Sequence, residues 1–169
     1  MQILGQEVLP MGMGCWAIGG QFYAGTVPCG FPNVDDAESR RAIRATLDAG
    51  VRVFDTAAVY GAGHSERLLG EALKDQPDAI VISKLGTAMD EDTRRMLHDQ
   101  TEAADVIPAI EGSLRRLNRD HVDVMLLHLN ALPIATARPI FEQMEIAKDM
   151  GKIRAYGWST DFPQSAAAM

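Results

Sequence analysis

The sequence predicts an α/β protein in which helices cover a parallel sheet. Three observations carry this. Apolar runs of strand length alternate with longer stretches of helical periodicity. The runs are continuous, as in strands buried on both faces. No composition break divides the chain, so its 169 residues read as one domain, 1–169.

The elements follow in order. Gly12 to Ile18 reads as a first strand, leading into a loop rich in Gly, Pro and aromatic residues, Gly19 to Val34. Asp35-Asp36-Ala37-Glu38 signals a helix start, an acidic cap with a glutamate three residues on. Ile43 and Leu47 lie four apart on that helix, and Gly50 closes it from C′. Val51 to Phe54 is a second strand. Leu68, Leu69, Ala72 and Leu73 give the next helix its apolar face. Pro77-Asp78 makes a turn, and Ala79 to Ile82 is a third strand. Gly86 to Ala104 is polar and mixed in charge, and reads as a long loop. Val106, Ile107, Ile110, Leu114 and Leu117 follow helical spacing, with Pro108 in the first turn, where its missing N–H costs little. Val122 to Leu127 is a fourth strand. Pro139 fits the start of the next helix, which runs through Phe141, Met144 and Ala147 to Gly151. Ile153 to Trp158 is a fifth strand, and Phe162 to Ala168 begins another helix.

Composition narrows the function. A net charge of −7 argues against nucleic acid or an anionic membrane as the main partner. No run approaches the roughly 18 apolar residues of a membrane span. The N-terminus lacks the basic and apolar regions of a signal peptide. Cys15 and Cys29 form no metal-ligand spacing and read as reduced thiols, so the cytoplasm is the expected compartment.

Four consecutive strands end in a polar or ionisable residue: Asp55, Lys84, His128 and Ser159-Thr160. Ligands and chemistry gather at the C-terminal ends of parallel strands. One such residue is unremarkable, since an aspartate there often caps a helix and a lysine is usually solvated. Four on one rim point to a shared site. With Tyr60, five residues beyond Asp55, the set suits a reaction that protonates an oxygen. A free phenol is a weak acid at neutrality. A lysine ammonium beside it favours the ionised form, and a carboxylate holds the lysine in place. A histidine can hydrogen-bond the carbonyl oxygen and orient it. None of these residues donates hydride, so a reduction needs a nicotinamide cofactor.

Other site types fit less well. Gly61-Ala62-Gly63 is followed by Glu66 where a dinucleotide fingerprint needs its third glycine. No GxxxxGK[ST] run, HExxH motif or GxSxG elbow is present, and His64, His98, His121 and His128 show no metal spacing. No metal is expected.

Four segments, VRVFDTAAVYGAGHSERLLGEALK, VISKLG, SLRRLNRDHVDVMLLHLN and GKIRAYGWST, resemble the N-terminal part of an aldo-keto reductase, a (β/α)8 TIM-barrel family. They span almost the whole chain in family order. The resemblance implies NADPH-dependent reduction of an aldehyde or ketone, with a small carbonyl compound as substrate. It implies Tyr60 as proton donor, Lys84 and Asp55 as the pair that tunes it, and His128 as the residue that orients the carbonyl. It also places Asp55 by the cofactor and Ser159-Thr160 at the nicotinamide carboxamide. The serine matches the family's Ser-Asn there, but threonine lacks the amide's paired donor and acceptor. His128 is followed by Leu129-Asn130 in place of an aromatic residue, and Trp16 is expected to line the substrate pocket or to pack in the core.

A TIM barrel takes about 250 residues. The expected structure is therefore a partial barrel of about five parallel strands with four to five helices. The family's later strands, which hold the nicotinamide ring and the adenosine 2′-phosphate, have no counterpart here. The expectation is a truncated piece of a full-length reductase, inactive alone. The alternatives are a half-barrel that self-associates through its open sheet edges, and a non-catalytic binding or regulatory relative on the same fold.

Overall fold

The computed structural model describes residues 1–167, so Ala168 of the last expected helix lies outside the described residues. Five parallel strands stand side by side in chain order: β1 (Gly12–Gly14), β2 (Val53–Asp55), β3 (Ile80–Leu85), β4 (Val122–Leu127) and β5 (Ile153–Trp158). Helical crossovers connect them: α1 (Asp36–Asp48), α2 (His64–Ala72), α3 (Val106–Leu117) and α4 (Ile134–Asp149). A doubly wound sheet reverses its strand order at a switch point. This one does not, so it is an arc of a βα-barrel. Among the described residues the arc stays open, because β1 and β5 have one neighbour each.

A side chain caps the start of α1, and backbone groups serve the other helix ends. Asp35 caps α1, its carboxylate accepting from the N–H groups of Ala37 at 2.7 Å and Glu38 at 3.3 Å. Glu38 pairs with Arg41 instead of closing a capping box. Gly50, at φ 82°, ends the helix from C′, with its N–H on the Leu47 carbonyl. Pro139 does not open α4. The helix begins at Ile134 and Pro139 lies inside it, because Pro133 takes the cap position and accepts from Thr136 and Ala137.

Strand alternation sorts the residues onto two faces. Phe54, Val81, Leu85, Met125 and Leu127 are buried in one cluster with Leu69, Ile110, Ile140 and Met144 from the helices. Tyr156 and Trp158 of β5 stack on Phe141 of α4, with ring centroids 5.9 and 5.6 Å apart. The other face is concave. Val53 and Ile80 line its lower end, covered by Val8 and Ile3 of an N-terminal hairpin (Gln2–Ile3 with Gln6–Glu7). Higher up, Ile82, Val124, Leu126, Ala155 and Gly157 are half-buried.

Besides Pro139, three features differ from the sequence reading. The first strand is only Gly12–Gly14, and a four-residue helix, Trp16–Gly19, takes up the rest of the expected run. The N-terminal hairpin was not foreseen, since its turn places Leu4 and Gly5 at positive φ. The expected long loop of residues 86–104 contains a hairpin, Thr87–Asp90 with Arg95–Asp99. Asp90 builds its turn by accepting from the N–H groups of Asp92 and Thr93 at 3.0 and 3.1 Å. This hairpin pairs with another from the first loop, Phe22–Ala24 with Val27–Cys29, to form a four-stranded canopy beside the sheet. Of its strand residues only Phe22 is buried, so the canopy adds little to the core.

Candidate active site

The C-terminal ends of β2 to β5 present Asp55, Lys84, His128 and Ser159 in sequence. Alternation places all four on the concave face: Asp55 two residues after Val53, Lys84 after Ile82, His128 after Leu126 and Ser159 after Gly157. The ladder continues past the strand ends, with the His128 N–H on Leu85 at 2.8 Å and the Ser159 N–H on Leu127 at 2.9 Å.

Lys84 is the hub. Its side chain is 6 % exposed, and its Nζ lies 2.6 Å from Asp55 Oδ1, 2.9 Å from the Thr56 carbonyl and 3.4 Å from the Tyr60 hydroxyl. A buried ammonium needs such partners. The same nitrogen stands 5.1 Å from the centre of the Tyr60 ring. Asp55 is 42 % exposed at its side chain, so the pair opens towards the concave side.

The loop from Asp55 to Gly63 carries Tyr60, and backbone and side chains both fix it. Thr56 and Ala58 donate to the Ile82 and Lys84 carbonyls at 2.8 and 3.1 Å, so the loop follows β3. Thr56 and Ser65 share a buried hydroxyl–hydroxyl bond of 2.8 Å, and Ser65 donates to the Cys15 carbonyl at 2.8 Å. Gly61 sits at φ 61°, and a Cβ there would fall 1.8 Å from the Gly19 oxygen. A Cβ on Gly19 would come 2.7 Å from the Tyr60 carbonyl carbon. The two glycines thus let the first loop and the tyrosine loop touch backbone to backbone. Below the loop, Glu66 is fully buried, accepting from Ser83 Oγ at 2.6 Å and from Arg116 Nε at 2.6 Å. The residue that argued against a phosphate loop is thus an anchor of the helix behind Tyr60.

Around Tyr60 the rings form an open wall. Trp16 lies 6.2 Å from Tyr60 and is 48 % exposed, so it is not packed in the core. His128 meets Tyr60 edge-on at 6.1 Å. Burial and then the Lys84 ammonium push His128 below its ordinary pKa of 6.5, while Asp55 pulls the other way. The shift favours the neutral imidazole, which keeps one N–H to donate. Burial, reinforced by Asp55, pushes the Cys15 thiol up to about 12 against the opposing pull of Lys84. That makes it an inert core group.

Sequence reasoning missed several members of this neighbourhood. Phe31, from the first loop, packs edge-on to Trp16 at 5.4 Å. Its only signal was the aromatic content of that loop. The Thr56 carbonyl holds Lys84 but no side-chain motif marks it. Thr160, which the sequence does single out for the cofactor, has its hydroxyl turned to the protein, donating to the Asn130 carbonyl at 2.8 Å and accepting from the Phe162 N–H at 3.1 Å. Among the described residues no group of three or more His, Cys, Asp or Glu side chains gathers as metal ligands, and no helix is long and apolar enough to cross a membrane.

Comparison with known proteins decides the family, because the model of the aldo/keto reductase family matches residues 10–168. The chain belongs to the aldo/keto reductase family. The aldo-keto reductase YhdN of Bacillus subtilis is 34 % identical over 92 % of this chain, which covers 44 % of that protein. Among solved structures, the holo form of the aldo-keto reductase AKR11C1 from Bacillus halodurans superposes with a TM-score of 0.77 at 29 % identity, covering 94 % of this chain and 48 % of that one. An aldo-keto reductase from Klebsiella pneumoniae in complex with NADPH does so with a TM-score of 0.70 at 28 % identity, covering 95 % of this chain and 49 % of that one. This aldo/keto reductase chain therefore spans about half the length of the relatives it matches. Its five-stranded parallel arc is the corresponding portion of their TIM-barrel fold.

Proposed function

We propose that this chain contributes the proton-delivering side of an NADPH-dependent reductase of aldehydes or ketones, with Tyr60 as the acid. One observation carries the reading: Lys84 Nζ stands within reach of Asp55, the Thr56 carbonyl and the Tyr60 hydroxyl at once. A solvated structural lysine has no need of a tyrosine hydroxyl inside that constellation.

The concave face suits a nicotinamide. Ala155 and Gly157 of β5 are small, and Ser159 stands at their upper end. Ser159 would hold the carboxamide, Thr160 would back it through its bond to Asn130, and Asp55 would face the ring. NADPH is the cofactor of the Klebsiella structure. When bound, it supplies the hydride that adds to the carbonyl carbon. The chain's own residues manage the oxygen. Negative charge grows there as the carbon is reduced, and Tyr60 gives its proton to that oxygen. The Lys84 ammonium stabilises the phenolate left behind, and Asp55 keeps Lys84 in place. His128, neutral, donates its N–H to the same oxygen and orients the carbonyl beside Tyr60. Trp16 forms the wall against which the substrate body rests.

The half-buried apolar residues of the concave face need a covering wall. We therefore propose that the 169-residue chain is inactive until further strands, or a second copy joined at the sheet edges, supply it. NADPH oxidation with an aromatic aldehyde is the test, on the chain alone and on the chain grafted in place of the matching half of a full-length relative. Turnover by the graft should fall at least about 100-fold in Tyr60→Phe with NADPH affinity unchanged. Undiminished turnover in that variant would refute the role of Tyr60. Turnover by the chain alone would refute the need for a wall. NADPH binding with no carbonyl reduced across a panel would favour the non-catalytic relative.

A further inference from the structure

We propose that Asn130 is a positioning residue, a two-way clamp that fixes the spacing between His128 and Ser159; this rests on the reading that these two residues face substrate and cofactor. β4 and β5 are in register up to Leu127 and Trp158. His128 and Ser159 come next, and beyond them the two chains leave the ladder. Four bonds then tie the loop after β4 to the last residue of β5 and the turn that follows it. Trp158 Nε1 donates to the Leu129 carbonyl at 3.0 Å, and Thr160 Oγ1 donates to the Asn130 carbonyl at 2.8 Å. The other two use the Asn130 side chain in both directions. Its Nδ2 donates to Asp161 Oδ2 at 3.0 Å, and its Oδ1 accepts from the Asp161 N–H at 2.7 Å.

A carboxamide can make this pair of bonds, and neither a carboxylate nor an alkyl side chain can. The clamp spans the gap between the residue that orients the carbonyl and the residue that orients the nicotinamide. It also explains the threonine at 160. With that hydroxyl drawn to Asn130, Ser159 is left to face the concave side and the turn behind it is held by protein. Misplacing reacting groups by even an ångström slows a reaction sharply.

The design of the bond suggests its own control. In the swap Asn130→Asp with Asp161→Asn, the carboxylate at 130 accepts from both the N–H and the side-chain amide at 161. The clamp returns with its total charge unchanged. Four forms of the chain are compared: the parent, Asn130→Ala, Asp161→Asn and the swap. The first readout is the NMR titration midpoint of His128, which depends on its burial and on its place beside Lys84 and requires no activity. Asn130→Ala should move it towards 6.5 and the swap should restore it. The second is aldehyde reduction at saturating NADPH in the grafted protein, expected to fall about tenfold in Asn130→Ala with aldehyde KM changed less, and to recover in the swap. An unmoved midpoint in Asn130→Ala, or a swap that restores neither readout, overturns the proposal. If the parent binds NADPH and reduces nothing, the reductase reading fails, and the midpoint still decides whether the clamp holds His128.

Discussion

Replacing Arg116 with methionine strips the cation from a carboxylate with no access to water. Glu66 is fully buried, and Arg116 Nε lies 2.6 Å from its Oε2, with Ser83 Oγ 2.6 Å from the other oxygen. In Arg116→Met one hydroxyl bond remains. Leaving a buried charge unpaired costs about 3–5 kcal/mol. The site has one escape, since the acid can take up a proton. At pH 7, about 2.7 units above the ordinary glutamate value, that costs about 3.7 kcal/mol. The exposed pairing of Arg116 with Glu91 adds at most about 1 kcal/mol. The expected loss is thus about 3–4 kcal/mol at pH 7. In the variant the folded state binds the proton more readily than the unfolded state, so its deficit relative to the parent shrinks as pH falls from 7. At pH 5.5 protonation costs only about 1.6 kcal/mol. Urea unfolding followed by circular dichroism at both pH values measures this. The double variant Glu66→Gln with Arg116→Met should recover about half the loss or more at pH 7. A deficit below about 1 kcal/mol at pH 7, or one equally large at pH 5.5, would refute the reasoning.

Three other outcomes follow from the structure. Gly61→Ala puts a methyl 1.8 Å from the Gly19 oxygen at a left-handed φ, so thermal unfolding should show a loss above about 2 kcal/mol; an unchanged melting temperature would mean the two loops do not touch. His128 should titrate below 6.5 by NMR, and Lys84→Met should move it up, since Lys84 contributes to the depression. Because the folded pKa lies below the unfolded one, His128 favours the native state above about 6.5 and opposes it as pH falls below that. His128→Gln should therefore flatten the pH dependence of stability in that window, and a parallel curve would refute the assignment.

What could be read from the sequence depended on burial. Val122–Leu127 and Ile153–Trp158 were legible to the residue because each is a mostly apolar run with a single charge, and those charges, Asp123 and Arg154, pair with each other. Asp55, Lys84 and His128 were legible because parallel strands of period 2 bring their last inward residues to one rim. β1 was overextended, since Gly12-Met13-Gly14 has one apolar side chain and the apolar residues after it form a short helix. The canopy hairpins were invisible for the opposite reason. They pair with each other across loops far apart in the chain and owe little to hydrophobic patterning. The Asn130 clamp joins two loops 31 residues apart, and nothing local announces such a bond.

The order of the five strands bears on how the protein comes into being on the ribosome. Each strand pairs with the one made just before it, so a new βα unit has its docking edge waiting as it emerges. Asp55, Tyr60 and Lys84 can meet once the third strand is out, and His128 joins after the fourth, on the order of seconds later. Until then the newest strand always exposes a bare edge. The nascent chain therefore carries its chemistry early and its greatest aggregation risk alongside it, at the growing side of the sheet.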